Sequence, residues 1–189
     1  MTDQDQGRFR ASGWRGREVA LPRAAGAAGP VALEFKGGVT TSFSLHARQR
    51  SATYKSYGEH LCRTEGPGRR RVLVPAHCNN VEVSRLSPGR SSGSGFARWR
   101  LRVLDTAELS VLTETLSGRN EDVVYFAGSA RFSFHWRGSG ESGRLHFTRA
   151  TGGEPRAAGM PGVIRGVTVV PGEGFLSIAT SGPWTLKRL

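Results

Sequence analysis

The stretch DVVYFAGSARFSFHW (122–136) decides the fold class. In ARFSFHW (130–136), Phe132, Phe134 and Trp136 alternate with Arg131, Ser133 and His135. Successive side chains of an extended strand point to opposite faces, so one face is apolar and the other polar. A helix would instead space its apolar residues three and four apart. DVVYF (122–126) is built from β-branched and aromatic residues, which suit a pleated, half-buried surface. The Gly and Ser between the two segments supply the turn.

The same pattern continues outward in both directions. Upstream lie VALEF (31–35), TSFSLHA (41–47), RVLVP (71–75), NVEVS (80–84) and WRLRV (99–103). Downstream lie RLHFT (144–148), GVTVV (166–170), GFLSIAT (174–180) and PWTLK (183–187), which makes eleven expected strands. Turn residues separate them: SPGRSSGSG, RGSGESG, TGGEP, PGEG and SGP. Glycine supplies positive φ and proline fixes φ, so these clusters reverse the chain. Many short strands at this spacing predict an all-β antiparallel β-sandwich of jelly-roll type rather than a parallel sheet. One short helix is expected within TAELSVLTET (106–115), with Leu109 and Leu112 three apart and Asp105 or Thr106 as its cap.

The chain also repeats itself. F-x-G occurs at Phe35–Gly37 and Phe126–Gly128, and F-S-[LF]-H at Phe43–His46 and Phe132–His135. RVLVP (71–75) has a partner in VTVVP (167–171). NVEVS then precedes WRLRV, as FLSIAT precedes PWTLK, placing Trp99 and Trp184 in corresponding positions. The expected organisation is two tandem related units, 31–104 and 122–189, joined by a 105–121 linker. The first carries an insertion-like stretch at 48–70. Residues 1–30 lack periodicity and set Phe9 and Trp14 among Arg8, Arg10, Arg15 and Arg17, which reads as a flexible basic arm.

The end of the chain, GEGFLSIATSGPWTLKRL (172–189), resembles the C-terminal strand pair of small duplicated β-sandwich modules of actinobacterial proteins. The matching residues are Gly174, Leu176, Ile178, Gly182, Trp184, Thr185 and Leu186, with Phe126, Gly128, Phe132 and Phe134. The resemblance covers the second unit well and the first loosely. It implies a fold and a hairpin rather than a site, since such modules are mostly without assigned activity. The first unit departs from it in its insertions and its two cysteines.

The formal charge is +12, from 27 basic and 15 acidic residues. Only Lys36, Lys55 and Lys187 are lysines; frequent Arg, Ala and Gly point to a GC-rich genome, so codon bias contributes to the charge. The charge is nonetheless uneven: residues 48–104 hold twelve basic side chains against Glu59, Glu65 and Glu82. Alternation puts Arg98, Arg100 and Arg102 on one strand face and Trp99, Leu101 and Val103 on the other. With Arg69, Arg70 and Arg71 they form the expected anion- or partner-binding surface. No RNP, KH, zinc-finger or helix-turn-helix pattern accompanies it.

No catalytic signature stands out. GRSSG (89–93) fits G-x-S-x-G but lies in a Gly/Ser loop with no helix to follow, so it is read as a chance match. His60, Cys62, His77 and Cys78 offer zinc-type ligands, but adjacent His77 and Cys78 and the missing two-residue spacer argue against a metal. Trp99, Trp136 and Trp184 would suit a sugar platform or, more simply, a core. The expectation is therefore a non-enzymatic interaction or assembly module that binds a protein partner, needing no cofactor. Nucleic-acid or other polyanion binding through 48–104 is one alternative, and carbohydrate binding another. The polar start MTDQDQGRFR lacks a secretory apolar core, and no run of about 18 apolar residues occurs, so a cytoplasmic protein without a membrane span is expected.

Overall fold

The computed structural model describes residues 9–23, 28–38, 41–49, 58–65, 68–86, 98–137, 143–159 and 163–189. The chain divides into two compact units, one reaching through Val31–Leu104 and taking in the strands before it, the other comprising Asp105–Leu189 with Ala28–Pro30.

The first unit holds β1 (Arg10–Gly13), β2 (Arg17–Ala20), β3 (Val31–Lys36), β4 (Phe43–Arg48), β5 (Glu59–Thr64), β6 (Arg69–Val74), β7 (Asn80–Arg85) and β8 (Trp99–Leu104). They form two four-stranded sheets, in the orders β1-β8-β3-β6 and β2-β7-β4-β5. The second unit holds β9 (Ser110–Val111), β10 (Thr115–Arg119), β11 (Asp122–Phe126), β12 (Ala130–Trp136), β13 (Arg144–Arg149), β14 (Arg156–Ala157), β15 (Arg165–Val170), β16 (Gly174–Ala179) and β17 (Pro183–Arg188). Its sheets run β10-β17-β12-β15 and β14-β13-β16-β11-β9. Setting β10 against β1, β11 against β2 and so on to β17 against β8 superimposes both strand orders. Only β9, which pairs with β11 in parallel, is extra. The other described pairings are antiparallel, and each unit is an eight-stranded jelly roll of two sheets.

Each unit closes on its own apolar core. Leu33, Phe35, Phe43, Leu45, Val74, Val81 and Trp99 fill the first. Val124, Phe132, Phe134, Leu176, Trp184 and Leu186 belong to the second. These are the inward members of the alternating strands, so the pattern that predicted the strands also supplies the core.

All eleven expected strands are present, and the all-β reading stands. Three expectations are corrected. Residues 10–13 and 17–20, read as part of a flexible arm, are β1 and β2: Phe9 and Ala11 pack against the core, and the Phe9 carbonyl accepts from Val103 N–H at 3.1 Å. Their four-residue segments are too short and polar to show alternation alone. Residues 1–8 and 24–27 of that arm lie outside the described residues. The expected helix at 106–115 is only a 3-10 turn, Thr106–Glu108, followed by β9 and β10. Its Asp105 and Glu108 do form a capping box, with Asp105 N–H donating to Glu108 Oε2 at 3.1 Å. The 105–121 segment thus starts the second unit, and part of the 48–70 stretch is β5.

The third correction concerns the register of the repeat. RVLVP and VTVVP fall on β6 and β15, and Trp99 and Trp184 on β8 and β17, which are true counterparts. The F-S-[LF]-H motifs fall on β4 and β12, and the F-x-G motifs end β3 and β11, which are not. Apolar–polar alternation marks any half-buried strand, so it matches neighbouring strands as readily as equivalent ones.

Candidate anion-binding face of the first unit

β8 is an inner strand, flanked by β1 and β3. Trp99 and Leu101 are buried, whereas Arg98 and Arg100 are exposed and Arg102 is half-exposed, so the three arginines do share the outer face. Antiparallel register brings further side chains beside them. Ser12 stands opposite Arg100 and Arg10 opposite Arg102 across the β1 ladder. Lys36 stands opposite Arg100 and Glu34 opposite Arg102 across the β3 ladder. β6 adds Arg69 opposite Lys36 and Arg71 opposite Glu34.

The outer face is therefore ruled into cross-strand rows. One reads Ser12, Arg100, Lys36, Arg69 and the next reads Arg10, Arg102, Glu34, Arg71. Neighbouring strands lie ~4.8 Å apart, and rows two residues apart are separated by ~6.8 Å. Arg98 continues the β8 line, its guanidinium donating to Ser12 Oγ at 2.8 Å. A half-open groove of about 440 Å³ follows this line, walled by Arg10, Ser12, Glu34, Lys36, Arg98, Arg100 and Arg102.

Among the described residues seven cations thus share a face with one carboxylate. Glu34 accepts from Arg102 Nε at 2.9 Å and lies 3.3 Å from Arg69 NH1. Its side chain is only 15 % exposed, so it anchors two guanidinium groups at the floor of the groove. The Arg69–Arg71 cluster does not act as a block. Arg70 alternates with Arg69 and Arg71 and falls on the same side as buried Val72 and Val74, away from the groove. Sequence reading missed Arg10, Ser12, Glu34 and Lys36 as members of this surface. Only Arg10 carried a signal, as part of a basic segment read as unpaired.

The second unit has the same face with different chemistry. At the positions of Arg10, Arg98, Arg100, Lys36 and Arg71 it carries Thr115, Pro183, Thr185, His135 and Val167. Lys187 and Arg165 replace Arg102 and Arg69, and Ser133 replaces Glu34.

The other sheet of the first unit presents a paired polar surface. Arg48 bonds Glu82 with Nε to Oε2 at 2.6 Å, and Asn80 donates to Glu18 Oε1 at 2.6 Å. A β-bulge between Leu45 and His46 brings His60 opposite His46, with ring centroids 5.2 Å apart. Burial and neighbouring His60 together hold the His46 imidazole below its ordinary range.

The four zinc-type residues are divided between core and surface. Cys62 and Cys78 are buried in the core, and His60 is exposed beyond the bulge. Burial raises the Cys78 thiol pKa. Among the described residues no three His, Cys, Asp or Glu side chains group as metal ligands. Trp99, Trp136 and Trp184 are at most 3 % exposed, so they are core residues and offer no platform to a sugar. GRSSG (89–93) and most of GSGESG (138–143) lie outside the described residues. No helix among the described residues is long and apolar enough to cross a membrane.

No protein-family model matches the chain, and no curated protein sequence matches it. Among solved structures it is similar to a protein from Eubacterium rectale given as secreted, with 9 % identity over 95 % of this chain and 67 % of that one, at a TM-score of 0.28. It is also similar to the STIV MCP, with 8 % identity over 96 % of this chain and 95 % of that one, at a TM-score of 0.24. The CUB1-EGF-CUB2 region of human MASP-1/3 shows 11 % identity over 97 % of this chain and 99 % of that one, at a TM-score of 0.22. Likenesses at that level carry no function to this chain.

Proposed function

We propose that this chain is a non-enzymatic binding module whose first unit holds a polyanion on the outer face of the β1-β8-β3-β6 sheet. The observation behind this reading is the register. Arg10 faces Arg102, and Lys36 faces both Arg100 and Arg69. Like charges directly opposite across a ladder are destabilising. The fold does not need them, because the second unit builds the same face from Thr115, Thr185, His135 and Val167. Guarding a sheet edge does not account for all of them either, since Arg100, Arg102 and Lys36 belong to the inner strands β8 and β3. Arginine is the side chain suited to phosphate, sulfate and carboxylate, so an anion on the groove would relieve the repulsion.

The test is a salt titration of binding to labelled oligonucleotides. Affinity should fall linearly in log–log form, with a slope of about −0.9 per phosphate neutralised on duplex DNA. Substituting Arg10→Ser with Arg100→Ser should flatten that slope. Salt-independent binding, or none at low salt, would overturn the reading.

A second reading, a protein partner, rests on strand β15. It is an edge strand whose outward Val167 and Val169 are 53 % and 57 % exposed. Exposed apolar residues on an open edge suit strand addition by another chain. Loss of a co-purifying partner on Val167→Lys with Val169→Lys would favour it. A cytoplasmic setting belongs to the proposal.

A further inference from the structure

Resting on the polyanion reading, we infer that the partner is a single-stranded nucleic acid, with its phosphates along β8 and a base stacked on Trp14. Two independent observations lead there. The first is the shape of the cationic surface. Arg98, Arg100 and Arg102 form a line with a repeat of ~6.8 Å, and a groove of about 440 Å³ follows it. That repeat is of the order of the distance between neighbouring phosphates in an extended strand. Lys36 and Arg10 flank the line on either side, so a single backbone lying along β8 meets a cation in each row.

The second observation is an exposed ring. The large aromatic side chains of both cores are buried, whereas Trp14 is 52 % exposed. It follows β1 directly, two residues beyond groove-lining Ser12 and one beyond Gly13, which stands opposite Trp99 next to Arg98. An indole at the end of a cationic track is the combination by which single strands are held: the groove follows the phosphates and the ring takes a base. A duplex keeps its base faces stacked inside, and a sulfated glycan has none. Stacking is tolerant of sequence, which fits a chain lacking any base-reading motif.

The experiment measures fluorescence anisotropy of a labelled oligothymidylate, a duplex of equal length and heparin, each across a salt series, with the full chain. Expected are tighter binding of the oligothymidylate than of the duplex, a salt slope near −0.7 per phosphate, and quenching of intrinsic tryptophan fluorescence. Trp14→Ala should weaken oligothymidylate binding by about 5- to 150-fold and remove the quenching, while leaving heparin binding unchanged. Trp14→Phe keeps a ring and should retain most of the affinity, which separates stacking from a general loss of structure. If duplex and heparin bind as tightly as the single strand and Trp14→Ala binds like the parent, this inference falls and the polyanion reading stands. If none of the three binds at low salt, both fall.

Discussion

Trp184 stands opposite Gly118 across the β10–β17 ladder, and its indole N–H donates to the Asn120 carbonyl at 3.0 Å. The first unit repeats the arrangement: Trp99 stands opposite Gly13 and donates to the Arg15 carbonyl at 2.9 Å. In both units the ring covers the glycine's Cα, so that a Cβ at Gly13 would lie 2.8 Å from Trp99 Cζ2. This glycine–tryptophan clasp ties the first strand of each jelly roll to its last. The buried indole keeps a hydrogen-bond partner, as a polar atom in a core requires.

The clasp sets the first expectation. Gly118→Ala places its methyl against Trp184, and the ring must move. The cost should be about 1–3 kcal/mol, the usual range for overpacking a filled core. Trp184→Ala should cost more, about 3–5 kcal/mol. Urea unfolding midpoints measure both, and an unchanged midpoint for Gly118→Ala would show that the clasp does not constrain the fold.

The cationic rows predict opposite effects on stability and binding. Arg100→Ser removes a repulsion with Lys36, so folding stability should stay level or rise by a few tenths of a kcal/mol, up to about 1. Oligonucleotide affinity should fall in the same variant. Loss of stability on this substitution would mean that Arg100 serves the fold.

Glu34 behaves in the reverse sense. It neutralises Arg102 and Arg69 from a side chain that is only 15 % exposed. Glu34→Gln leaves half-buried Arg102 and exposed Arg69 less well paired, at an expected cost of about 1 kcal/mol. Most of that cost falls on Arg102, since the Arg69 side chain is already 57 % exposed to water. Thermal and urea denaturation at low and high salt would show it, and the deficit should shrink as salt screens the uncovered charges.

His46 makes the first unit sensitive to acid. Burial and the neighbouring His60 ring lower its pKa below the ordinary 6.5, with Arg48 adding to the effect and Glu82 opposing it. The unfolded chain therefore binds the proton more readily than the folded one. Stability from this group is present above pH 6.5 and is lost as pH falls below that value. Unfolding midpoints measured from pH 7.5 down to 5 should decline, and the decline should be shallower in His46→Gln. Equal slopes in parent and variant would dismiss His46 as the cause.

The thiols report on the core. Cys62 is 0 % and Cys78 2 % exposed, so both sulfurs are shielded from reagents, and burial raises the Cys78 pKa, which leaves that thiol little reactive thiolate. A thiol reagent should modify both slowly in the native protein and rapidly in denaturant. Fast native modification would place at least one of them at the surface.

The all-β class, eleven strand positions, the inward Phe, Leu and Trp residues and the arginine face of β8 are legible in the residues alone. These are local properties: a period of two is written into consecutive residues, and burial follows it. The remaining features depend on pairing between segments far apart in the chain. RASG (10–13) and REVA (17–20) lack an apolar stripe and become strands because β8 and β7 offer them open ladders. The true register of the repeat emerged from strand order, since alternation alone fits neighbouring strands equally well. The groove has the same origin. Arg10, Glu34, Lys36 and Arg100 come from three strands separated in sequence, and antiparallel register set them side by side.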